Sequence, residues 1–133
     1  MGKRHYIIVT NNPLVAANWP DEVSFVEGDP GDVYRATRDM VHRGHKLLTH
    51  PLAGSVKPNE SPYRSVIVTS DSLPAVDFAS LRPIEAARSA LDKLVASSGL
   101  RYARGAVPPD VDSDYRLIDA ELMESAVTSL NEF

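Results

Sequence analysis

His50, Ser55, Lys57, Asn59, Glu60, Tyr63 and Arg64 fall within one stretch, residues 44–64, reading GHKLLTHPLAGSVKPNESPYR. No other part of the chain gathers so many groups that could move a proton or hold a charge. An imidazole at His50 can act as general acid or base, or donate to an anion. Ala53-Gly54-Ser55 can turn so that backbone N–H groups and the Ser55 hydroxyl face an oxyanion, with Lys57 adding positive charge. Asn59 and Glu60 suit side-chain bonds that pin a loop to its own backbone. Pro51, Pro58 and Pro62 stiffen the segment, and Leu52, Val56 and Tyr63 can anchor it. A stiff loop suits preorganised binding. Connections in compact domains usually run about 4–6 residues, so a longer one points to function. The residues expected to bind a small anionic ligand are Asn11, Asn12, His50, Gly54, Ser55, Lys57, Asn59, Glu60, Tyr63 and Arg64. His50 is the one catalytic candidate.

Several specific chemistries are not supported. The loop lacks the glycine run and GK[ST] ending of a phosphate-binding Walker loop, and no GxGxxG follows the first strand. A Ser55–His50–Glu60 triad can be drawn, but no G-x-S-x-G elbow presents the serine. His50 could equally cap its strand by bonding a backbone carbonyl. His42, His45 and His50 invite a metal reading. A strand rising about 3.3 Å per residue separates His50 from the other two. No metal and no cofactor are expected.

The segments around this loop read as follows. The run Tyr6-Ile7-Ile8-Val9-Thr10 is continuously apolar or β-branched, as in a strand buried on both faces. A helical turn after Pro13 and a strand over 23–26 follow. Asp29 as N-cap, Pro30 and Asp32 then open a helix whose Val33, Ala36, Thr37, Met40 and Val41 share one face, with Gly44 ending it. Residues 46–49 and 65–69 read as two more strands, and about 80–98 as a helix in which Pro83 fits only the first turn. The acidic, proline-rich segment 107–114 reads as an exposed connection, and 115–118 as a short edge strand. Asp119 reads as the cap of a last helix with Leu122, Met123, Ala126, Val127 and Leu130 on its apolar stripe.

Strands alternating with helices predict an α/β fold. The expectation is a small three-layer Rossmann-like or flavodoxin-like sandwich, its sheet mainly parallel and of about four to five strands. Residues 6–10, 46–49 and 65–69 would be its central strands. In such sheets ligands bind beyond the carboxyl ends of the strands. Those ends would be Asn11-Asn12, Glu27-Gly28-Asp29, His50 and Ser70-Asp71-Ser72, all along one edge.

Composition bounds the rest. A chain of 133 residues forms one domain, residues 1–133, with a single core. A formal charge of −4 gives no footprint for nucleic acid, and Lys3-Arg4-His5 is too small a cluster to supply one. No apolar run approaches the roughly 18 residues of a membrane helix. The amino terminus shows no signal-peptide core, and Tyr6 stands where myristoylation needs Ser or Thr, so neither is expected. The absence of cysteine excludes disulfides, thiolate nucleophiles and thioester carriage on this chain.

TNNPLV at 10–15, GHKLLTHPLAGSVKPNESPYRSVIV at 44–68 and LID at 117–119 resemble the GrdX family over nearly the full chain. The long middle segment carries most of that likeness. The resemblance implies a cytoplasmic protein associated with the glycine, sarcosine and betaine reductase systems of amino-acid fermentation. It supplies no catalytic residues. Those reductases work through selenol, thiol and thioester chemistry, so a chain without cysteine cannot be their electron or acyl carrier. The leading expectation is an accessory protein that binds a small anionic ligand. The alternatives are a small hydrolase or transferase using His50, or an adaptor that meets a reductase component. Self-association into a homo-oligomer stays open.

Overall fold

The computed structural model describes residues 5–102 and 106–131. Lys3 and Arg4 of the basic cluster lie outside them. The elements are β1 (Tyr6–Thr10), α1 (Pro13–Asn18), β2 (Val23–Phe25), α2 (Pro30–His42), β3 (Ser65–Thr69), α3 (Phe78–Ser98) and α4 (Pro109–Asn131).

The sheet has three strands in the order β2-β1-β3. β1 and β2 are parallel, with Ile8 opposite Val23. β1 and β3 are antiparallel, with Ile8 opposite Ile67. Period-two alternation sends neighbouring side chains to opposite faces. Val9, Val66 and Val68 pack with Val33, Tyr34 and Val41 of α2 and with Ile84, Ala87 and Leu91 of α3. Tyr6, Ile8 and Ile67 pack with Val15 of α1 and with Ala120, Met123 and Val127 of α4. Each fully buried valine or isoleucine contributes on the order of 1.5–3 kcal/mol.

This arrangement overturns the expected Rossmann-like or flavodoxin-like sandwich on a mainly parallel sheet of four to five strands. Residues 46–49 form no strand of their own: only Leu47 bridges to Val68, in antiparallel sense. The bonds from Leu48 N–H to the Ile67 carbonyl (2.8 Å) and from Thr69 N–H to the Lys46 carbonyl (2.8 Å) flank that bridge. The cause lies in the connection. A parallel crossover needs a dozen or more residues, usually a helix, to return the chain to its starting end. Residues 50–64 contain no helix, so the chain turns back beside itself. Continuous apolarity in β3 reports burial on two faces and not strand direction.

Two further expectations are corrected. The acidic connection 107–114 and the edge strand 115–118 are mostly one helix, because α4 begins at Pro109 with Asp110 and Asp112 in its first turn. Proline at a helix start and acids in the first turn are both favourable there. α3 begins at Phe78, so Pro83 lies past the first turn. Its missing N–H frees the carbonyl of Ala79, an exposed residue that water can reach.

α2 behaves as its ends foretell. Asp29 and Asp32 form a reciprocal capping box. At the other end the N–H of Gly44 bonds the Val41 carbonyl and that of His45 the Met40 carbonyl, the Schellman pattern. Gly44 has φ +103, and a Cβ there would lie 2.0 Å from the backbone oxygen of Leu73. Gly44→Ala should therefore cost more than about 2 kcal/mol. Gly99→Ala, with φ +71 and open space around the added methyl, should cost about 1–2 kcal/mol. Urea unfolding of both variants checks this, and a smaller loss for Gly44→Ala would contradict it.

Candidate functional site

β1 ends at Thr10, and the next two residues are spent entirely on framework. Asn11 Nδ2 donates to the carbonyls of Gly28 (3.0 Å) and Pro62 (2.8 Å), and its Oδ1 accepts from Arg64 N–H (2.9 Å). Asn12 caps α1 by accepting from Leu14 N–H (3.0 Å). Its Nδ2 donates to the carbonyl of Arg116 (2.9 Å) and to Asp119 Oδ2 (3.0 Å). Because β3 is antiparallel to β1, its amino end and not its carboxyl end lies here. Ser70-Asp71-Ser72 sits at the opposite end of the sheet, which corrects the expectation of one shared edge.

Asp119 is not the helix cap that its sequence position suggests. It lies in mid-helix, 7% exposed, and does not cap an end. Ser65 Oγ donates to its Oδ2 at 2.6 Å, and Ser65 and Thr10 hydroxyls lie 2.7 Å apart. Burial raises the Asp119 pKa. The hydrogen bonds from Ser65 and Asn12 and the charge of Arg64 oppose that shift without cancelling it.

Arg64 organises the loop. It is 4% exposed, and its guanidinium donates to the carbonyls of Ala53 (3.1 Å) and Val56 (2.9 Å). Its Nε is buried and unpartnered. Among the described residues no carboxylate lies within ion-pair distance of it. Tyr34 donates from α2 to the Pro51 carbonyl at 2.7 Å. Burial pushes that phenol up to about 12, with Arg64 opposing and Asp119 reinforcing.

Between the loop and α4 lies a cavity of about 290 Å³. Gly54, Ser55, Val56, Ser61, Tyr63 and Arg64 line it from the loop, and Tyr115, Ile118, Asp119, Glu121, Leu122 and Ser125 from the helix. Tyr63 also borders a second cavity of about 310 Å³ that includes Pro30, Asn59, Leu100, Asp112 and Arg116. There the Tyr63 hydroxyl donates to Asp112 at 2.5 Å, and Arg116 Nε donates to the same hydroxyl at 3.0 Å. Burial, then the Asp112 bond, raises the Tyr63 pKa.

The expected site residues are thus divided. Gly54, Ser55, Tyr63 and Arg64 meet at the first cavity and Asn59 lines the second. Asn59 Nδ2 donates to the Gly99 carbonyl at 3.1 Å, and its Oδ1 has no partner. Glu60 faces Arg101 at 3.7 Å. His50 and Lys57 are exposed and border neither cavity. His50 Nδ1 accepts from Leu52 N–H at 3.1 Å, a local turn bond. Asp119, Ile118 and Leu122 were absent from the sequence-derived set. The only signal for them was that a helix period extends back through 115–118 from Leu122.

The fold is that of a small α/β protein with a mixed sheet and a cavity between one loop and one helix. A family model described as GrdX-like protein matches residues 7–128, and the chain belongs to that family. Neither a curated protein nor a solved structure matches it. Among the described residues no helix is long and apolar enough to cross a membrane, and no group of three His, Asp or Glu is placed to hold a metal ion.

The raised pKa of Asp119 has a signed consequence. The folded state keeps this proton above 3.8, the unfolded value. The stability it contributes is complete below that pH and is lost as pH rises through the folded value. Asp119→Asn removes this contribution. The stability of wild type minus that of Asp119→Asn should fall as pH climbs from about 4 and then level off. Urea unfolding at a series of pH values tests it, and a constant difference would contradict it.

Proposed function

We propose that this GrdX-like protein is a non-catalytic accessory protein of the glycine, sarcosine and betaine reductase systems that binds a small anion between the 50–64 loop and α4. Family membership supports the association with those systems. The observation that carries the ligand reading is Arg64. Its guanidinium is buried beside a cavity, makes two bonds to neutral carbonyls, and has no carboxylate partner among the described residues. Leaving a buried cation uncompensated costs several kcal/mol, and a bound anion offsets that cost. Arginine's planar fork also matches a carboxylate.

An enzyme built on His50 has less support. That imidazole is exposed, engaged with its own turn and outside the cavity. An adaptor role is the second reading. Leu117 and Ile118 stand 50% and 46% exposed on α4, an apolar pair that a partner surface could cover.

Isothermal titration at low salt against short carboxylates and phosphate tests the proposal. Wild type should bind at least one carboxylate, and Arg64→Met should weaken that binding by at least about tenfold. His50→Ala and Lys57→Ala should change it by less than about threefold. Equal affinity in wild type and Arg64→Met would contradict the proposal.

A further inference from the structure

The cavity that holds Arg64 also holds an acid, and the two together define what kind of anion fits. Asp119 comes from α4 on one side and Arg64 from the loop on the other. Two carboxylates close together in a buried site cannot both stay ionised. A ligand carboxylate drawn to Arg64 would therefore meet Asp119 as a like charge unless one of the two carries a proton. Asp119 Oδ2 already accepts from Ser65 and Asn12, so an added proton belongs on Oδ1.

We infer that this site binds a monocarboxylate together with one proton held on Asp119, forming an acid–carboxylate pair beside Arg64. The inference rests on the anion site proposed above and names its ligand class. The proton comes from solvent, and the carboxyl O–H then donates to the ligand's oxygen; no other bond forms or breaks. Val56, Ile118 and Leu122 supply an apolar wall, which suits a short hydrocarbon tail. A second negative charge on the ligand would face Glu121 on the same helix, so dicarboxylates and phosphate are disfavoured. Cavities for drug-sized ligands run about 300–1,000 Å³, and this one sits at the lower limit.

The charged and titratable groups around Asp119 are few. Arg64 faces it across the cavity from the loop. Tyr34 of α2 bonds the Pro51 carbonyl and feels the Asp119 charge only through space, with its phenol pushed up to about 12, chiefly by burial. Glu121 lies on its own helix, and Tyr63 and Tyr115 border the same cavity. The neighbours Thr10, Asn12 and Ser65 carry no charge. Burial already raises the pKa of Asp119, the same direction in which a nearby ligand carboxylate would push it.

Titration of the intact protein with butyrate, in buffers of different ionisation enthalpy from about pH 5 to about pH 8, reads the proton directly. Above the pH where free Asp119 ionises, binding should take up close to one proton per butyrate. Affinity should fall about tenfold per pH unit in the same range. Succinate and phosphate should bind at least about tenfold more weakly than butyrate. Asp119→Asn, which keeps an acceptor for Ser65 and Asn12, should bind butyrate with a flat pH profile and no proton uptake. If that variant does not fold, the buffer comparison on wild type still decides. Butyrate binding without proton uptake, or succinate binding as tightly, would overturn this inference and leave the anion site standing. No binding of any anion at any pH would overturn both.

Discussion

The carboxyl group of Asp119, carried into the protein by α4, fixes how the layers of the fold meet. The apolar stripe of Ala120, Met123 and Val127 gives the helix affinity for the sheet. Apolar contact alone tolerates some sliding and rotation. A buried carboxyl does not, because its hydrogen bonds must be met or several kcal/mol are lost. Ser65 from β3 and Asn12, the cap of α1 just past β1, meet them. One buried carboxyl thus ties together the first strand, the last strand and the last helix. The same rotation aims Ile118 and Leu122 toward the loop and forms the cavity wall.

The loop is ordered by a second buried polar group. Residues 50–64 contain neither helix nor strand, so their backbone groups need partners from elsewhere. Arg64 supplies two bonds, Tyr34 one and Asn11 another. All three donors are held by regular elements or adjoin one. The loop is consequently fixed by the chain's own groups, and on the proposed reading that lowers the ordering cost of binding. Arg64 and Asp119 share the interior beneath it without forming an ion pair. The charge of Arg64 opposes the upward shift that burial gives the Asp119 carboxyl.

Local features were legible in the sequence and distant ones were not. The strands at Tyr6–Thr10 and Ser65–Thr69 and both ends of α2 follow from runs, caps and a glycine within a few residues of each other. The direction of β3 was set by what the preceding connection lacks. The start of α4 was hidden because Pro108-Pro109-Asp110 also reads as a turn, although proline followed by acids is equally a helix opening. The sequence pattern makes Asp119 a cap, because aspartate is seldom buried without partners. Its partners stand 54 and 107 residues away. His50 and Lys57 are chemically apt by residue type, whereas the framework turns them to solvent. Arg64 was in the sequence-derived set, but nothing local foretold its burial.

On the proposed reading the cleft between the loop and α4 is the binding site, and Arg64 is its anchor. Anomalous diffraction from crystals soaked with 4-bromobutyrate tests that assignment without an intermediate step, because bromine marks the tail and the map shows the carboxylate. A bromine peak is expected beside Ile118 and Leu122, with the carboxylate directed at Arg64. A peak on the outer face near His50 and Lys57, or one in the second cavity beside Arg116, would contradict it.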